Sequence, residues 1–330
     1  MSEIGLGAAP LGNLYQPISE ADAQATLASA LAADVTYVDC APYYGFGLCE
    51  RRVGDALRGR DDVVISTKVG RVLVAAPEVV DDRERHGFRS SMPFSPIFDY
   101  SYDGVMRSWE ASLQRLGLAR INVLYVHDIG SITHGDAHQQ RMMELTKRGG
   151  LRALEVLRSE GQIDGFGLGV NEIDVCLTLL READLDVILL AGRYTLLEQG
   201  AMDELMPECA RRGVSLVIGG PYNSGILATG TRGAHTPRFN YEHAPDDVIQ
   251  KVRRLEDVCE RHRVALPAAA LQFALAHPQV ASVIPGLCGP AQVEQTLELY
   301  RARIPDAFWN ELKSQRLIRD NAPVPESKSS

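Results

Sequence analysis

The stretch "VTYVDCAPYYG", residues 35–45, shows the unit from which the rest of the chain is built. Its first five residues form a short apolar run, typical of a buried strand, that ends on an acid, Asp39. A loop rich in Pro, Tyr and Gly follows and carries Tyr44. Burying an acid costs free energy unless the acid is paired. The position of Asp39 therefore predicts a partner side chain close to this strand end.

Seven further stretches resemble this strand, and helical patterns lie between them. Continuous apolar runs of this kind are typical of parallel strands that are buried on both faces. The eight predicted strands are EIGLGAA (3–9), VTYVD (35–39), VVISTK (63–68), INVLYVH (121–127), GFGLGV (165–170), DVILL (186–190), VSLVIG (214–219) and ASVIPG (281–286).

The helical segments carry recognisable start and stop signals. Ser19 has the side chain of an N-cap before EADAQATLASALAA, while Gly117 and Gly161 end helical patterns in the way that glycine commonly does. Two successive helices, within 244–262 and 267–278, precede the last strand. The strand–helix unit repeated eight times predicts one α/β domain over residues 1–330, a closed (β/α)8 TIM barrel.

An open, doubly wound sheet is the alternative architecture. Such sheets usually carry a GxGxxG motif between the first strand and the first helix. Here that junction reads GLGAAPLG, and Pro10 stands where the helix would begin. The closed barrel is therefore the better prediction.

Two connections are long, and both leave the carboxyl ends of predicted strands. Residues 71–100 follow the third strand and residues 221–243 follow the seventh. Loops of this length are uncommon and often functional, and barrels carry their active sites on this face. We expect both to lie over the active site, and we expect residues 322–330 to form a flexible tail.

Composition limits the classes of partner. The net charge is −9, and no basic stripe with interleaved aromatic residues is visible, which argues against nucleic acid and against an anionic membrane surface as partners. The six cysteines are scattered without metal-ligand spacing, and MSEIGLGAAP lacks the features of a signal peptide. These observations predict free thiols, no metal site and a cytoplasmic protein. They leave the oligomeric state open.

Four side chains with acid–base chemistry fall on one predicted face. Asp39, Lys68 and His127 are the last residues of three neighbouring predicted strands. Tyr44 lies in the loop just after the strand that ends at Asp39. Taken singly, each has an ordinary explanation as a cap, a solvated edge, a core histidine or a packing tyrosine. Together they predict a site in which Asp39 holds Lys68, whose ammonium lowers the pKa of the Tyr44 phenol. Tyr44 would then move a proton at a substrate oxygen that His127 also contacts.

These residues belong to blocks that resemble the aldo-keto reductase family along essentially the whole chain. YVDCAPYYG with GLCERRVGDAL, and then ISTKVG, LYVHDI, GLGVNE and VIPGL, match family blocks in order. The resemblance implies the barrel fold and a nicotinamide dinucleotide bound without a Rossmann motif. It also implies a catalytic tetrad at Asp39, Tyr44, Lys68 and His127.

The resemblance also implies a set of cofactor contacts, with some departures. Cys40 replaces the usual threonine, Ala191 an expected glutamine, and Gly219 a residue that is often aromatic. The implied cofactor-binding residues are Ala8, Asp39, Asn171, Gly219, Gly225, Leu227, Gly286, Gln292 and Gln295.

The block after IPG bears on which dinucleotide is used. Family members that prefer NADPH usually place cations here, whereas this chain reads LCGPAQVEQT, with Cys288, Gly289 and Gln292 at the relevant positions. Burying a 2′-phosphate without a paired charge would be costly. We therefore expect NAD, with NADP less favoured.

Within the family, residues 98–118 and 125–135 resemble the NAD-linked sugar dehydrogenases that act on L-fucose or D-threo-aldoses, and also pyridoxal 4-dehydrogenase. The resemblance implies oxidation of a cyclic hemiacetal, first of all an aldose at C1, to its lactone by hydride transfer to NAD. Pyridoxal oxidation and NAD(P)H-dependent carbonyl reduction are the alternative enzymatic functions. A non-catalytic cofactor-binding subunit is the alternative of another class.

Overall fold

The computed structural model describes residues 1–233 and 236–326, and over these residues it shows a barrel of eight parallel strands in chain order. Parallel bridges from Ile4 to Val283 and from Gly7 to Gly286 join the first strand to the last and close the ring. The predicted (β/α)8 barrel is confirmed. Its strands are Leu6–Gly7, Tyr37–Asp39, Val64–Val69, Val123–His127, Gly165–Val170, Val187–Ala191, Ser215–Gly219 and Val280–Ile284.

Every predicted strand is present, although several are shorter than predicted, among them the first and the last. The first covers Leu6–Gly7 instead of 3–9, because Pro10 lies in the first turn of a 3-10 helix that begins at Ala9. The last strand ends at Ile284, since Pro285 has no N–H with which to continue a ladder. Both differences arise at the seam where the barrel closes.

Helices follow the strands as predicted, with caps that the sequence indicated. The Ser19 hydroxyl accepts a hydrogen bond from the Asp22 N–H at 3.0 Å, and Gly117 ends its helix with a left-handed φ of 63°. The main helices are Glu20–Ala32, Leu48–Leu57, Tyr102–Leu116, His138–Thr146, Gly150–Ser159, Ile173–Glu182, Leu205–Arg212, Asp246–His262, Leu266–Leu275, Pro290–Arg301 and Asp306–Ser314. Shorter pieces are Ser131–His134 and Ile226–Thr229, with 3-10 turns at Ala9–Gly12, Gly135–Ala137 and Gly200–Met202.

Two apolar layers hold the barrel together. The larger one lies between the sheet and the helices, and a smaller cluster fills the barrel interior. Burying one large apolar side chain stabilises a fold by about 1.5–3 kcal/mol, so the filled interior makes a firm floor beneath the carboxyl ends of the strands. The interior cluster consists of Tyr37, Val123, Tyr125, Val187, Leu189, Val217 and Ile284.

The connection over residues 71–100 is an ordered ribbon. Arg71–Ala75 pairs antiparallel with Phe94–Phe98, and Glu84–Arg85 pairs with Phe88–Arg89. A bridge from Leu14 to Phe88 fastens the ribbon to the loop after the first strand. The ribbon therefore forms part of the wall around the barrel mouth.

The connection over residues 221–243 is also partly regular. It contains the short helix Ile226–Thr229 and a hairpin that pairs Arg238–Phe239 with Glu242–His243. Residues 234 and 235 of this connection lie outside the described residues, as do residues 327–330 of the predicted tail. In the part of the chain that the structure describes, no helix is long and apolar enough to cross a membrane.

Candidate active site

A buried ion pair lies at the carboxyl ends of the second and third strands. The two strands are neighbours, with Asp39 opposite Ser66 in the register, and Lys68 shares the face of Ser66 because strand side chains alternate. The Lys68 ammonium donates to Asp39 Oδ2 at 2.6 Å and to the carbonyl oxygen of Cys40 at 2.8 Å. Burial opposes the charge on Lys68, but the Asp39 carboxylate raises its pKa above the ordinary value. The predicted pairing of Asp39 with Lys68 is present.

A chain of hydroxyl groups supports this pair from below. The Ser66 hydroxyl donates to Asp39 Oδ1 at 2.7 Å, and the Tyr37 hydroxyl lies 3.0 Å from Ser66 Oγ and 2.9 Å from the Tyr125 hydroxyl. Sequence reasoning missed Ser66. The signal was the period of two along the strand, which places Ser66 on the same face as Lys68.

Tyr44 lies above the ion pair. The Lys68 ammonium is 4.6 Å from the centre of the Tyr44 ring, and the phenol retains some exposure to solvent. Burial raises the pKa of Tyr44 above its ordinary value, and the Lys68 ammonium opposes that rise. The expected direction of the lysine's influence is correct, but the expected net lowering is wrong because burial outweighs it. Tyr44 therefore carries its proton at neutral pH in this structure.

His127 completes the predicted set. Its ring is buried and perpendicular to that of Tyr44, with 5.9 Å between the ring centres. Burial lowers the pKa of His127 well below its ordinary value, and the cations of Arg71 and Lys68 lower it further, so the imidazole is neutral at neutral pH. Its Nδ1 has no hydrogen-bond partner among residues 1–233 and 236–326. The Tyr100 hydroxyl holds the His127 carbonyl oxygen at 2.6 Å and fixes the backbone here.

Two charged residues that sequence reasoning missed stand beside His127. Arg71 donates to Asp128 Oδ2 at 2.5 Å, and that oxygen lies 3.4 Å from His127 Nε2. Arg71 begins the ribbon after the third strand, and Asp128 directly follows the fourth. The rule that found Lys68 and His127 would have found them too, had it been extended past the last strand residue.

Two of the predicted cofactor residues point into the protein. Ala8 is fully buried, its N–H donates to the Asp39 carbonyl at 2.9 Å, and its own carbonyl accepts from the Cys49 thiol at 3.1 Å. The Leu227 side chain is also fully buried, and its N–H donates to the Tyr222 carbonyl at 3.1 Å. At both positions the side chain and the backbone donor are already engaged within the protein.

Asn171 and Gly219, two of the predicted cofactor-binding residues, both lie next to Ala191 at the barrel mouth. Asn171 follows the fifth strand and donates to the Ala191 carbonyl at 3.2 Å. Gly219 ends the seventh strand, where an added Cβ would lie 3.1 Å from Leu189 Cδ2 and 3.4 Å from Ala191 Cβ. The surface here is consequently formed by backbone and small groups, with a carboxamide at its edge. These residues fit a nicotinamide ring, which is flat and carries a carboxamide of its own.

The residues predicted for the far end of the dinucleotide lie after the eighth strand and in the seventh connection. Gly286 follows the eighth strand, and Gln292 and Gln295 are exposed on the helix Pro290–Arg301. Gly225 precedes the short helix Ile226–Thr229 with a left-handed φ of 101°, and a Cβ there would meet open space. The contacts of these residues with a cofactor stay a prediction.

The six cysteines are free thiols, as predicted, and five of them are buried. Among the described residues no cluster of three or more His, Cys, Asp or Glu side chains could hold a metal ion.

Comparisons with known proteins agree with this geometry. The model of the aldo/keto reductase family matches residues 3–316. Pyridoxal 4-dehydrogenase of Microbacterium luteolum is 46% identical over 96% of this chain and 95% of that protein. D-threo-aldose 1-dehydrogenase of a Pseudomonas species is 38% identical over 96% and 94%. The holo form of the aldo-keto reductase AKR11C1 from Bacillus halodurans superposes with a TM-score of 0.73, covering 99% of this chain and 94% of that one, at 25% identity.

The chain therefore belongs to the aldo/keto reductase family and is an oxidoreductase. Aldo-keto reductases bind a nicotinamide dinucleotide as cofactor, which agrees with the fit of the residues around Asn171 and Gly219. The two subgroups named from the sequence, the aldose and pyridoxal dehydrogenases, are those of these two curated relatives.

Proposed function

We propose that this protein oxidises the cyclic hemiacetal of a small molecule to a lactone, with NAD as the hydride acceptor. The observation that carries the proposal is the assembled tetrad, in which Lys68 lies 2.6 Å from Asp39 and beneath the Tyr44 ring. The dehydrogenase activities of two relatives that match nearly the whole chain support the oxidative direction.

The residues divide the work as follows. Asp39 keeps Lys68 in place and charged, and the Lys68 ammonium stabilises the Tyr44 phenolate. Burial makes this phenolate the minor form of Tyr44 at neutral pH. In that form Tyr44 takes the proton from the hemiacetal hydroxyl, while neutral His127 donates a hydrogen bond to the same oxygen. NAD, when bound, supplies the acceptor for the hydride that leaves the hemiacetal carbon. Loss of the O–H proton and the C–H hydride converts the C–OH group into the carbonyl of the lactone.

Pyridoxal is the substrate that we favour. It forms an internal hemiacetal, so its oxidation gives a lactone by the chemistry above. The relative with 46% identity is a pyridoxal 4-dehydrogenase, and partly exposed aromatic side chains stand beside His127, where a flat heteroaromatic ring would be well accommodated. The Tyr43 ring centre is 6.0 Å from that of His127, and the Phe98 ring centre is 5.2 Å from the Arg71 guanidinium.

An aldose oxidised at C1, which the sequence placed first, is the second candidate. The relative with 38% identity acts on D-threo-aldoses. The carboxylate of Asp128 beside His127 could accept a hydrogen bond from a sugar hydroxyl. The Asp128 carboxylate therefore favours a substrate with several hydroxyl groups, whereas the aromatic side chains do not.

The preference for NAD rests on the end of the site near the helix Pro290–Arg301. The Gln292 side chain accepts a hydrogen bond from the Cys288 N–H at 2.8 Å, so it caps the turn where NADPH-dependent relatives would present a cation. The charged side chains that act on Cys288 are Asp22 and Arg52. Arg52 is already paired with Glu20 at 2.8 Å. Neither of these two described side chains offers an unpaired cation to a 2′-phosphate, so binding that dianion here would be costly.

The test follows NADH absorbance while the purified protein is offered pyridoxal, L-fucose, another aldose and simple alcohols, each with NAD and with NADP. We expect lactone formation, identified by mass spectrometry, with NAD preferred. Faster oxidation of an aldose than of pyridoxal would replace the first candidate by the second. Reduction of carbonyl compounds by NADPH without oxidation of any hemiacetal would show that the proposed reaction is wrong. Binding of NAD without turnover of any compound would favour a non-catalytic cofactor-binding subunit.

A further inference from the structure

We propose that Arg71 and Asp128 bind a substrate oxygen next to the carbon that loses hydride. The inference rests on the proposed function and narrows its substrates to hemiacetals that carry a hydroxyl group beside the reacting centre. In pyridoxal that oxygen is the ring hydroxyl adjacent to the reacting substituent, and in an aldose it is the hydroxyl on C2.

The pair lies where such an oxygen would be. Arg71 and Asp128 follow neighbouring strands at the barrel mouth, and Asp128 Oδ2 is 3.4 Å from His127 Nε2. His127 is the residue that contacts the reacting oxygen in the proposed reaction. The Arg71–Asp128 pair therefore borders the space next to that oxygen.

Arg71 is a nearly buried arginine with one nitrogen that lacks a partner. It is only 7% exposed, and its guanidinium lies 3.9 Å from the centre of the Tyr43 ring and 5.2 Å from that of Phe98. One nitrogen donates to Asp128, yet its Nε has no hydrogen-bond partner in the described part of the chain. A buried donor without a partner is costly in free energy and is uncommon in native proteins. An oxygen of a bound substrate would satisfy it.

Asp128 adopts a backbone conformation that favours the same conclusion. Its φ is 47°, in the left-handed region, which Asp tolerates better than most residues but still at some cost in conformational free energy. Such strain is concentrated at functional sites. A buried ion pair is also weak evidence for stability, because well-packed apolar residues would stabilise the fold as well or better. Binding of substrate accounts for the strain, the charge and the unpartnered nitrogen together.

The two substrate oxygens differ in what they can do. The ring hydroxyl of pyridoxal, when ionised, accepts hydrogen bonds and does not donate, so it would depend on Arg71. The C2 hydroxyl of an aldose can donate to Asp128 while it accepts from Arg71. Substituting Arg71 should therefore affect the use of the pyridoxal oxygen, and substituting Asp128 should affect the use of the aldose hydroxyl.

The experiment removes the oxygen from the substrate and, separately, substitutes the residue proposed to bind it. We would measure kcat/KM for pyridoxal and for its analogue lacking the ring hydroxyl, and for an aldose and its 2-deoxy analogue, in wild type, Arg71→Lys and Asp128→Asn. In wild type, removing the oxygen should lower kcat/KM about ten- to a hundredfold, as expected for a hydrogen bond to a charged group. In the responsible variant the same removal should change kcat/KM less than about threefold, because the coupling is gone. Loss of discrimination in Arg71→Lys identifies the pyridoxal oxygen, and its loss in Asp128→Asn identifies the aldose hydroxyl.

Arg85→Lys is the matched control. Arg85 belongs to the same ribbon and also stacks on a ring, 3.9 Å from the centre of Phe46. Its Nε, like that of Arg71, has no hydrogen-bond partner among the described residues. It differs from Arg71 in that its other nitrogens donate to backbone carbonyls, such as that of Phe94 at 2.8 Å. This variant should keep the wild-type discrimination. Unchanged NAD binding and a cooperative melting transition would show that each variant folds, even where loss of the ion pair lowers the melting temperature.

Three results would overturn the inference. If wild type discriminates against the analogues and both variants keep that discrimination, the pair does not bind the oxygen. If wild type does not discriminate against either analogue, the site does not bind an oxygen next to the reacting carbon. If wild type oxidises neither pyridoxal nor any aldose, the proposed function itself fails and the inference fails with it.

Discussion

The two ends of the candidate site are built differently. At the tetrad, both oxygens of the Asp39 carboxylate are hydrogen-bonded, by Lys68 and by Ser66, and all three residues are buried on strands. At the end near the helix Pro290–Arg301, Gln292 is exposed and makes a single local bond to the Cys288 N–H. Substitutions of the buried residues at the tetrad should therefore disturb the fold. A substitution of the exposed Gln292 should alter which dinucleotide binds without disturbing the fold. Substitutions should accordingly affect rate and stability at one end and cofactor choice at the other.

The largest effect should come from Tyr44→Phe, which removes the hydroxyl that moves the proton. We expect kcat/KM to fall about a hundred- to ten-thousandfold, the usual contribution of general acid–base catalysis, while the dissociation constant for NAD stays nearly unchanged. Steady-state kinetics and a fluorescence titration with NAD would measure the two quantities.

Tyr43→Phe is the matched control for that experiment. It keeps the ring that lies 3.9 Å from the Arg71 guanidinium, so its activity should stay within a few-fold of wild type. Equal losses in the two variants would contradict the assignment of the proton to Tyr44.

Asp39→Asn tests how much the ion pair of the tetrad contributes to the stability of the fold. The substitution leaves the Lys68 ammonium buried without its counter-ion, and breaking such a pair costs about 3–5 kcal/mol of the free energy of unfolding. Thermal and denaturant unfolding would measure the loss. The exposed pair of Asp62 with Arg60 offers a control, since Asp62→Asn should leave the melting temperature unchanged. A double variant, Asp39→Asn with Lys68→Met, should recover part of the stability, and no recovery would contradict the pairing argument.

Gln292→Arg tests the end of the site near the helix Pro290–Arg301. The new cation should tighten NADP binding about tenfold through a charged hydrogen bond to the 2′-phosphate, with little change in kcat for NAD. Dinucleotide titrations would show the shift. Glu294→Arg on the same helix changes the charge by more but places it on another face, so it should not move the preference. Tighter binding of NADP than of NAD by wild type would show that the cofactor prediction is wrong.

The smallest effect concerns pH. Burial keeps the pKa of His127 well below that of a histidine in the unfolded chain, so below about pH 6.5 the unfolded state binds a proton that the folded state refuses. Stability should therefore fall as the pH falls from about 6.5, and His127→Asn should reduce that slope by about 1 kcal/mol per pH unit. Melting temperatures between pH 7 and pH 5 would measure it. The exposed His86→Asn should leave the slope as in wild type, and an unchanged slope in His127→Asn would contradict the buried neutral imidazole.

The parts of the site that could be predicted are those set by strand periodicity. Asp39, Lys68 and His127 close apolar runs, and the parallel order of a barrel brings consecutive strand ends together. The same logic could not show that residues 71–100 pair with themselves, because that ribbon depends on contacts such as the one from Leu14 to Phe88 that no local pattern records. The stacking of Arg71 on Tyr43 went unpredicted for the same reason.

The net shift in the pKa of Tyr44 and the burial of the Leu227 side chain could not be predicted, for a different reason. Both depend on how much water reaches a side chain, which is a property of the assembled barrel. The sequence indicated that Lys68 would act on Tyr44, and it does, but the larger influence of burial appears when the neighbouring elements are in place. Leu227 likewise becomes a core residue through the packing of the seventh connection.

The seam between the first and last strands has a consequence for how the protein is made. The Ser282 hydroxyl donates to the carbonyl of Glu3 across 279 residues of chain, beside the bridges that close the ring. At synthesis rates of roughly 5–20 residues per second, the ribosome needs on the order of 15–60 s to deliver the partner of the first strand. The strands that carry Asp39, Lys68 and His127 are all synthesised within the first half of this interval. The open edge of the unfinished sheet waits until the final strand arrives, and a slow step late in folding is the kinetic signature to be sought.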